Sequence, residues 1–210
     1  MSSQGGYRSR SRVRVDRRKQ ETRARILEAA VELFGEVGFD ATKIADVCER
    51  ADVARQTFFN HFPAKSDLLL ELLRQGGDFI SATLDSAYER GANTRERLAL
   101  FFHDVIAATI EVGPSSRDLV AHVVHSRPDP DRAEQARLIT SLIQGFVRRC
   151  LADGDVTRRH PPEALAALVQ GALGALFMDW AERGGFDPTR RAAELAALVA
   201  DALERRRDER

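Results

Sequence analysis

Between positions 26 and 37, apolar side chains fall at Ile26, Ala30, Leu33, Phe34 and Val37. That spacing places them on one face of a helix. The pattern begins near Asp16 and stops at Gly38, a residue that accepts the left-handed geometry closing a helix. It resumes at Ile44, Val47, Cys48 and Ala51, with Thr42 placed to cap the second helix through its side-chain oxygen. Asp52 suits a turn. A third, short helix then runs from about Ala54 to His61, and Pro63 ends it by pushing its predecessor out of the α region. Phe58 and Phe62 stand four apart and predict the anchored face of that helix. Two short helices joined by a tight turn and braced by a longer one in front describe a helix-turn-helix.

Residues 67–90 predict a fourth helix, with Leu68, Leu69, Leu72 and Leu73 on one side and Gly76-Gly77 marking a kink or a flexible point in its middle. Asn93 with Glu96 reads as a cap for a helix to about Val112, whose stripe holds Leu98, Phe101, Phe102, Val105, Ile106 and Ile110. A shorter helix holds Leu119, Val120, Val123 and Val124, and SRPDPD at 126–131 reads as a loop. Further helices are predicted at about 132–152, 162–183 and 188–206. Pro162 suits a first turn, and Asp187 caps the last helix. The predicted fold is all-α. It comprises a disordered arm at 1–16, a helix-turn-helix domain at 17–65, and a larger helical domain at 66–210.

Composition agrees. Hydrophobic residues make up 43% of the 210 and charged residues 30%, enough apolar material for a packed core. No apolar stretch reads as long enough to cross a bilayer, and the Arg-rich beginning lacks the apolar segment of a secretory signal. Cys48 and Cys150 match no metal-ligand spacing and suggest a reduced, cytoplasmic setting. The formal net charge is zero but unevenly spread. Residues 1–65 carry 13 basic and 9 acidic side chains, and the remainder 19 basic and 23 acidic. A basic leading part on an acidic body predicts a polyanion partner at one end, although a solvated tail gives the same imbalance. Arg alternates with Ser or Val at Arg10, Arg12 and Arg14 and doubles at Arg17-Arg18, without the stripe of a helix that gains by folding.

The stretch GFDATKIADVCERADVARQTFFNHFPAKSDLL resembles the DNA-binding domain of the tetracycline-repressor-like (TetR) family of bacterial regulators. The likeness runs over about residues 18–70. It rests on the Val-Gly-Phe end of the first helix, the Ala-x-Val turn, the Thr-Phe-aromatic-x-His-Phe helix, and Lys65 before Leu68-Leu69. The resemblance implies a homodimer on a palindromic double-stranded operator, released by a small molecule bound in the body. Four positions depart from the family pattern. Lys43 stands for a second Thr, Asp52 for the Gly of the turn, Ala54 for a capping Ser, and Phe59 for a Tyr whose hydroxyl meets a phosphate.

Arg55, Gln56, Thr57, Asn60 and His61 are the expected base-facing residues. Phe59 lies beside them, Thr42, Lys43 and Lys65 are expected near phosphates, and Arg17 and Arg18 lead an arm able to enter an A·T-rich minor groove. In the body, Phe102, His103, Val105, Ile106, His122, His125, Phe146, Phe177 and Trp180 are candidates to line a cavity for a hydrophobic or amphipathic effector, and they equally fit a plain core. Leu168, Gly171, Ala172, Ala175, Leu195, Leu198, Val199 and Ala202 are candidates for the dimer interface. His103, His122 and His125 lack the spacing of a compact zinc site, and neither a metal nor a cofactor is expected. No nucleophile elbow, Gly-rich phosphate loop or paired-carboxylate motif occurs, so the chain reads as a regulator rather than an enzyme.

Overall fold

The structure is a computed structural model that describes residues 5–113, 117, 119–122, 130–182, 185 and 187–204, with side chains described from residue 16 onward except at 131 and 132. Among the described residues the fold is all-α, with one isolated bridge between Val156 and Glu204. The helices are α1 (Gly5–Val37), α2 (Ile44–Arg50), α3 (Arg55–His61), α4 (Lys65–Arg90), α5 (Thr94–Glu111), α6 (Pro130–Asp153), α7 (Pro162–Glu182) and α8 (Pro188–Leu203). Between α5 and α6, residues 119–122 are also helical. The chain divides into two compact units, Met1–Leu69 and Leu70–Arg210.

In the first unit, Ile26, Ala30, Leu33 and Phe34 of α1 are buried, as are Val47 and Cys48 of α2, Phe58 of α3, Phe62, Leu68 and Leu69. Phe58 and Phe62 meet with ring centroids 6.0 Å apart, as their spacing predicts. Gly38 takes φ +83° and ends α1. Asp52 takes φ 50°, so the turn keeps the left-handed geometry that Gly would adopt without strain. Ala54 occupies the N-cap of α3 and supplies no side-chain hydrogen bond.

Two expectations fail here. The helix cap ahead of α2 is Lys43, not Thr42. The Thr42 hydroxyl turns inward and donates to the Gly38 carbonyl at 2.8 Å, while Asp46 accepts from the Lys43 N–H at 3.4 Å. The helical backbone also begins at Gly5 rather than near Asp16. Extending an existing helix avoids the cost of nucleation, and Arg is a good helix former, so the missing stripe does not prevent helix.

In the second unit, α5 packs most extensively on α8, and α7 packs on both α6 and α8. The core they share includes Leu98, Phe101, Phe102, Ile106, Ile143, Val147, Val169, Leu176, Val199 and Leu203. Both predicted caps form. Asn93 Oδ1 accepts from Glu96 N at 3.0 Å while a Glu96 carboxylate oxygen accepts from Ala92 N, and Asp187 accepts from Thr189 N and Arg190 N. The Gly76-Gly77 pair does not interrupt α4. A Cβ added at Gly77 would come within 2.3 Å of the Gln135 side-chain nitrogen, which reaches over that position to donate to the Leu73 carbonyl at 3.0 Å. That glycine therefore permits a close approach rather than a kink.

Arg97 is buried and stacks on Tyr88 at 3.9 Å. It donates to Asp153 at 2.5 Å and to the Gly91 carbonyl, and Tyr88 Oη donates to the same carboxylate. These bonds hold Asp153 below the usual carboxylate range. Burial pushes the Cys150 thiol up, so it stays protonated and unreactive.

Contrary to the expectation that no apolar stretch is long enough to cross a bilayer, α7 has the length and composition to do so. Its Ala and Gly count as apolar, yet Gly171 and Gly174 lie at the surface with open space around them. Leu165, Ala166, Val169, Leu173, Leu176 and Trp180 face the protein core.

Candidate nucleic-acid interface

Four of the seven residues of α3 have polar or aromatic side chains at the surface. Arg55, Gln56 and Asn60 are exposed, and Phe59 is 38% exposed. Gln56 Nε2 donates to Asn60 Oδ1 at 3.1 Å, which aligns two amides on one edge of the helix. The Arg55 guanidinium stands 5.8 Å from the Phe59 ring. Amides and guanidinium are the groups that pair in two-pronged fashion with adenine and guanine edges in a major groove. Thr57 and His61 lie lower, half-buried. The His61 Nδ1 is buried without a hydrogen-bond partner. Burial first, then the charges of Lys19 and Arg23, lower the His61 pKa and keep the ring neutral.

The end of α3 shows a residue that sequence reasoning missed. Pro63 has no N–H, so it cannot donate to the last carbonyls of the helix. Arg23 of α1 supplies a donor instead: its Nη1 reaches the His61 carbonyl at 3.0 Å, and its guanidinium lies 4.3 Å from the Phe62 ring centroid. A cation at a helix C-terminus also complements the helix dipole. The signal was available in the sequence as a proline-terminated helix in need of an outside donor.

The remaining candidates divide. Lys43 is exposed. Arg17 and Arg18 are exposed on α1, Arg17 pairing with Glu21 at 3.2 Å. Thr42 is only 2% exposed, and its hydroxyl donates to the Gly38 carbonyl. Lys65 is half-buried and its ammonium bonds to three backbone carbonyls.

In the body, Phe102, Val105, Ile106, Phe146 and Trp180 are core residues, and Phe177 packs against that core. His103 is exposed beside Asp104, His122 is half-buried, and His125 lies outside the described residues. A cavity of about 400 Å³ is lined by Asn93, Thr94, Arg95, Gly154, Asp155, Ala200 and Glu204, none of them an expected ligand contact. Of the expected interface residues, Leu168 is 42% and Leu198 63% exposed, and Gly171 and Ala202 are also at the surface. Ala172 and Ala175 are half-buried. Leu195 and Val199 are buried in the core of this chain, on the side of α8 that packs on α5.

A short helix anchored by aromatics, exposing amides and a guanidinium and preceded by a tight turn, defines a helix-turn-helix DNA-binding protein. Residues 26–72 match the model of the bacterial regulatory proteins of the tetR family. The chain is 31% identical over 207 residues to the HTH-type transcriptional regulator LuxR of Vibrio harveyi, covering 94% of this chain and 92% of that one. It is 27% identical over 139 residues to the HTH-type transcriptional repressor KstR of Mycobacterium tuberculosis, covering 66% and 62%. Among solved structures, FadR of Bacillus subtilis in complex with stearoyl-CoA superposes with a TM-score of 0.74 at 15% identity, over 86% of this chain and 99% of that one. The chain belongs to the tetR family of bacterial regulatory proteins. It is a transcriptional regulator, not an enzyme.

Proposed function

We propose that the chain is a homodimeric repressor that reads a palindromic operator with α3 and leaves it when a small hydrophobic or amphipathic molecule binds the body. The observation that carries the reading is the exposed edge of α3, where Arg55, Gln56 and Asn60 stand clear of a helix held from behind by Phe58. Lys43 and the Arg17-Arg18 pair add cations that suit phosphates and a minor groove. The apolar outer faces of α7 and α8, with Leu168, Met178 and Leu198 exposed, suit a second copy across a twofold axis. The effector part is supported by FadR, which holds stearoyl-CoA on the same fold. Such a regulator acts in the cytoplasm, on the nucleoid.

A second reading keeps the DNA contact and drops the effector, leaving the body to dimerise or to bind a protein. It is favoured by the packing of Phe102, Val105, Ile106 and Phe146, which are at most 2% exposed. A screen of fatty acids, acyl thioesters and hydrophobic drugs separates the two. The first reading expects at least one compound that raises the melting temperature and weakens DNA binding together. A panel that stabilises nothing and releases nothing leaves the second.

A further inference from the structure

Lys65 is the first residue of α4, where the helix dipole disfavours a cation. Its position is explained by the loop between α1 and α2. Gly38 ends α1 in left-handed geometry, and the carbonyls that follow turn inward. The Gly38 carbonyl accepts from Thr42 twice, from its hydroxyl at 2.8 Å and its N–H at 3.2 Å. The carbonyls of Phe39, Asp40 and Thr42 accept from Lys65 Nζ at 2.7, 3.1 and 3.1 Å. An ammonium has three N–H donors. All three are engaged, and the charge lies 4.5 Å from the Phe39 ring centroid. The loop ends directly at Lys43, the cap of α2, and α2 leads into α3.

We infer that Lys65 is a positioning residue of the DNA-reading unit. It fixes the α1–α2 loop, and through it the start of α2 and the setting of α3, and it makes no phosphate contact. This inference rests on the reading of α3 as the DNA-contacting helix. It replaces the expectation that Lys65 meets the backbone of the operator.

The test uses the full chain and the duplex it enriches from a random pool, with an unrelated duplex of equal length as the non-specific probe. Lys65→Met is expected to weaken the enriched duplex on the order of tenfold. The unrelated duplex should bind as before, and the slope of log K against log salt should match the wild type. Lys65→Arg is expected to behave like Lys65→Met, because a planar guanidinium cannot converge on three carbonyls. The inference is overturned if Lys65→Met weakens both duplexes alike and flattens the slope by about 0.9, the signature of one lost phosphate. It is equally overturned if Lys65→Arg restores wild-type binding. A variant whose DNA-reading unit melts without DNA supports the inference, since deleting a phosphate ligand leaves the DNA-free protein as stable as before. If the wild type enriches no duplex, the DNA reading of α3 fails. The positioning role is then decided by melting alone, and wild-type stability in both variants sinks it.

Discussion

Helices α3 and α7 each bury one face and expose the other, yet the exposed faces have opposite chemistry. The seven residues of α3 bury Phe58 and expose Arg55, Gln56 and Asn60. The 21 residues of α7 bury Leu165, Val169, Leu173 and Leu176 and expose Leu168, Gly171 and Met178. Burial within the protomer therefore does not by itself tell what each helix is for; the face left over does. A polar, donor-rich edge is satisfied by a polyanion with hydrogen-bonding base edges. An apolar edge is satisfied by another apolar edge, which a second copy of the chain would provide in the proposed dimer.

The largest effect is expected from removing what holds α3. Phe58 is fully buried, and Phe58→Ala should destabilise the first unit by about 3–5 kcal/mol. Thermal unfolding followed by circular dichroism is expected to show loss of that unit's transition with the α5–α8 transition retained. A single unchanged transition would contradict the anchoring role.

Next in size is the apolar edge. Leu198 is 63% exposed, so Leu198→Glu should leave the chain folded while placing like charges across the proposed twofold axis, at a cost of several kcal/mol in association. Sedimentation should shift from dimer to monomer with the helical spectrum intact. A dimer that survives would move the interface elsewhere.

A gentler change sharpens the comparison. Ala54 caps α3 without a side-chain hydrogen bond, and its backbone is already extended, so Ala54→Ser should stabilise the first unit by about 1 kcal/mol. The denaturation midpoint should rise. No rise would mean that the local geometry refuses the cap.

The smallest effect is electrostatic. Burial and the nearby cations lower the His61 pKa from its ordinary 6.5, so the folded protein disfavours the imidazolium. The unfolded chain takes up that proton more readily, and stability rises with pH across the window just below 6.5. The contribution is complete above that value and is lost as pH falls toward the folded-state pKa. His61→Gln should flatten the change in denaturation midpoint between about pH 5 and about pH 7. An unchanged profile would assign the dependence to other groups.

How much of this was legible beforehand follows from where each interaction closes. Phe58 and Phe62 are four residues apart, and the caps Asn93 and Asp187 act within three residues, so periodicity and local spacing show them. Lys65 and Thr42 act on backbone carbonyls between residues 38 and 42, and carbonyls leave no mark in a sequence. Leu195, Leu198 and Val199 sit on one short stretch of α8. Their spacing shows that the helix has an apolar side, but only the packing of α5 decides which edge is inside. The alternating Arg and Ser of residues 8–14 carry no stripe, and so hid a helical backbone that continues from α1.

The central claim is that the exposed edge of α3 reads DNA on behalf of a twofold pair. Enrichment of a random duplex pool by the full chain, followed by the same selection with Asn60→Ala, tests it most directly. The wild type is expected to enrich an inverted repeat whose half-sites lie one helical turn apart, about 34–36 Å, or a multiple of that. Asn60→Ala should relax one position in each half-site, at a cost of about 1–3 kcal/mol. No enrichment, or an identical motif from the variant, would contradict it.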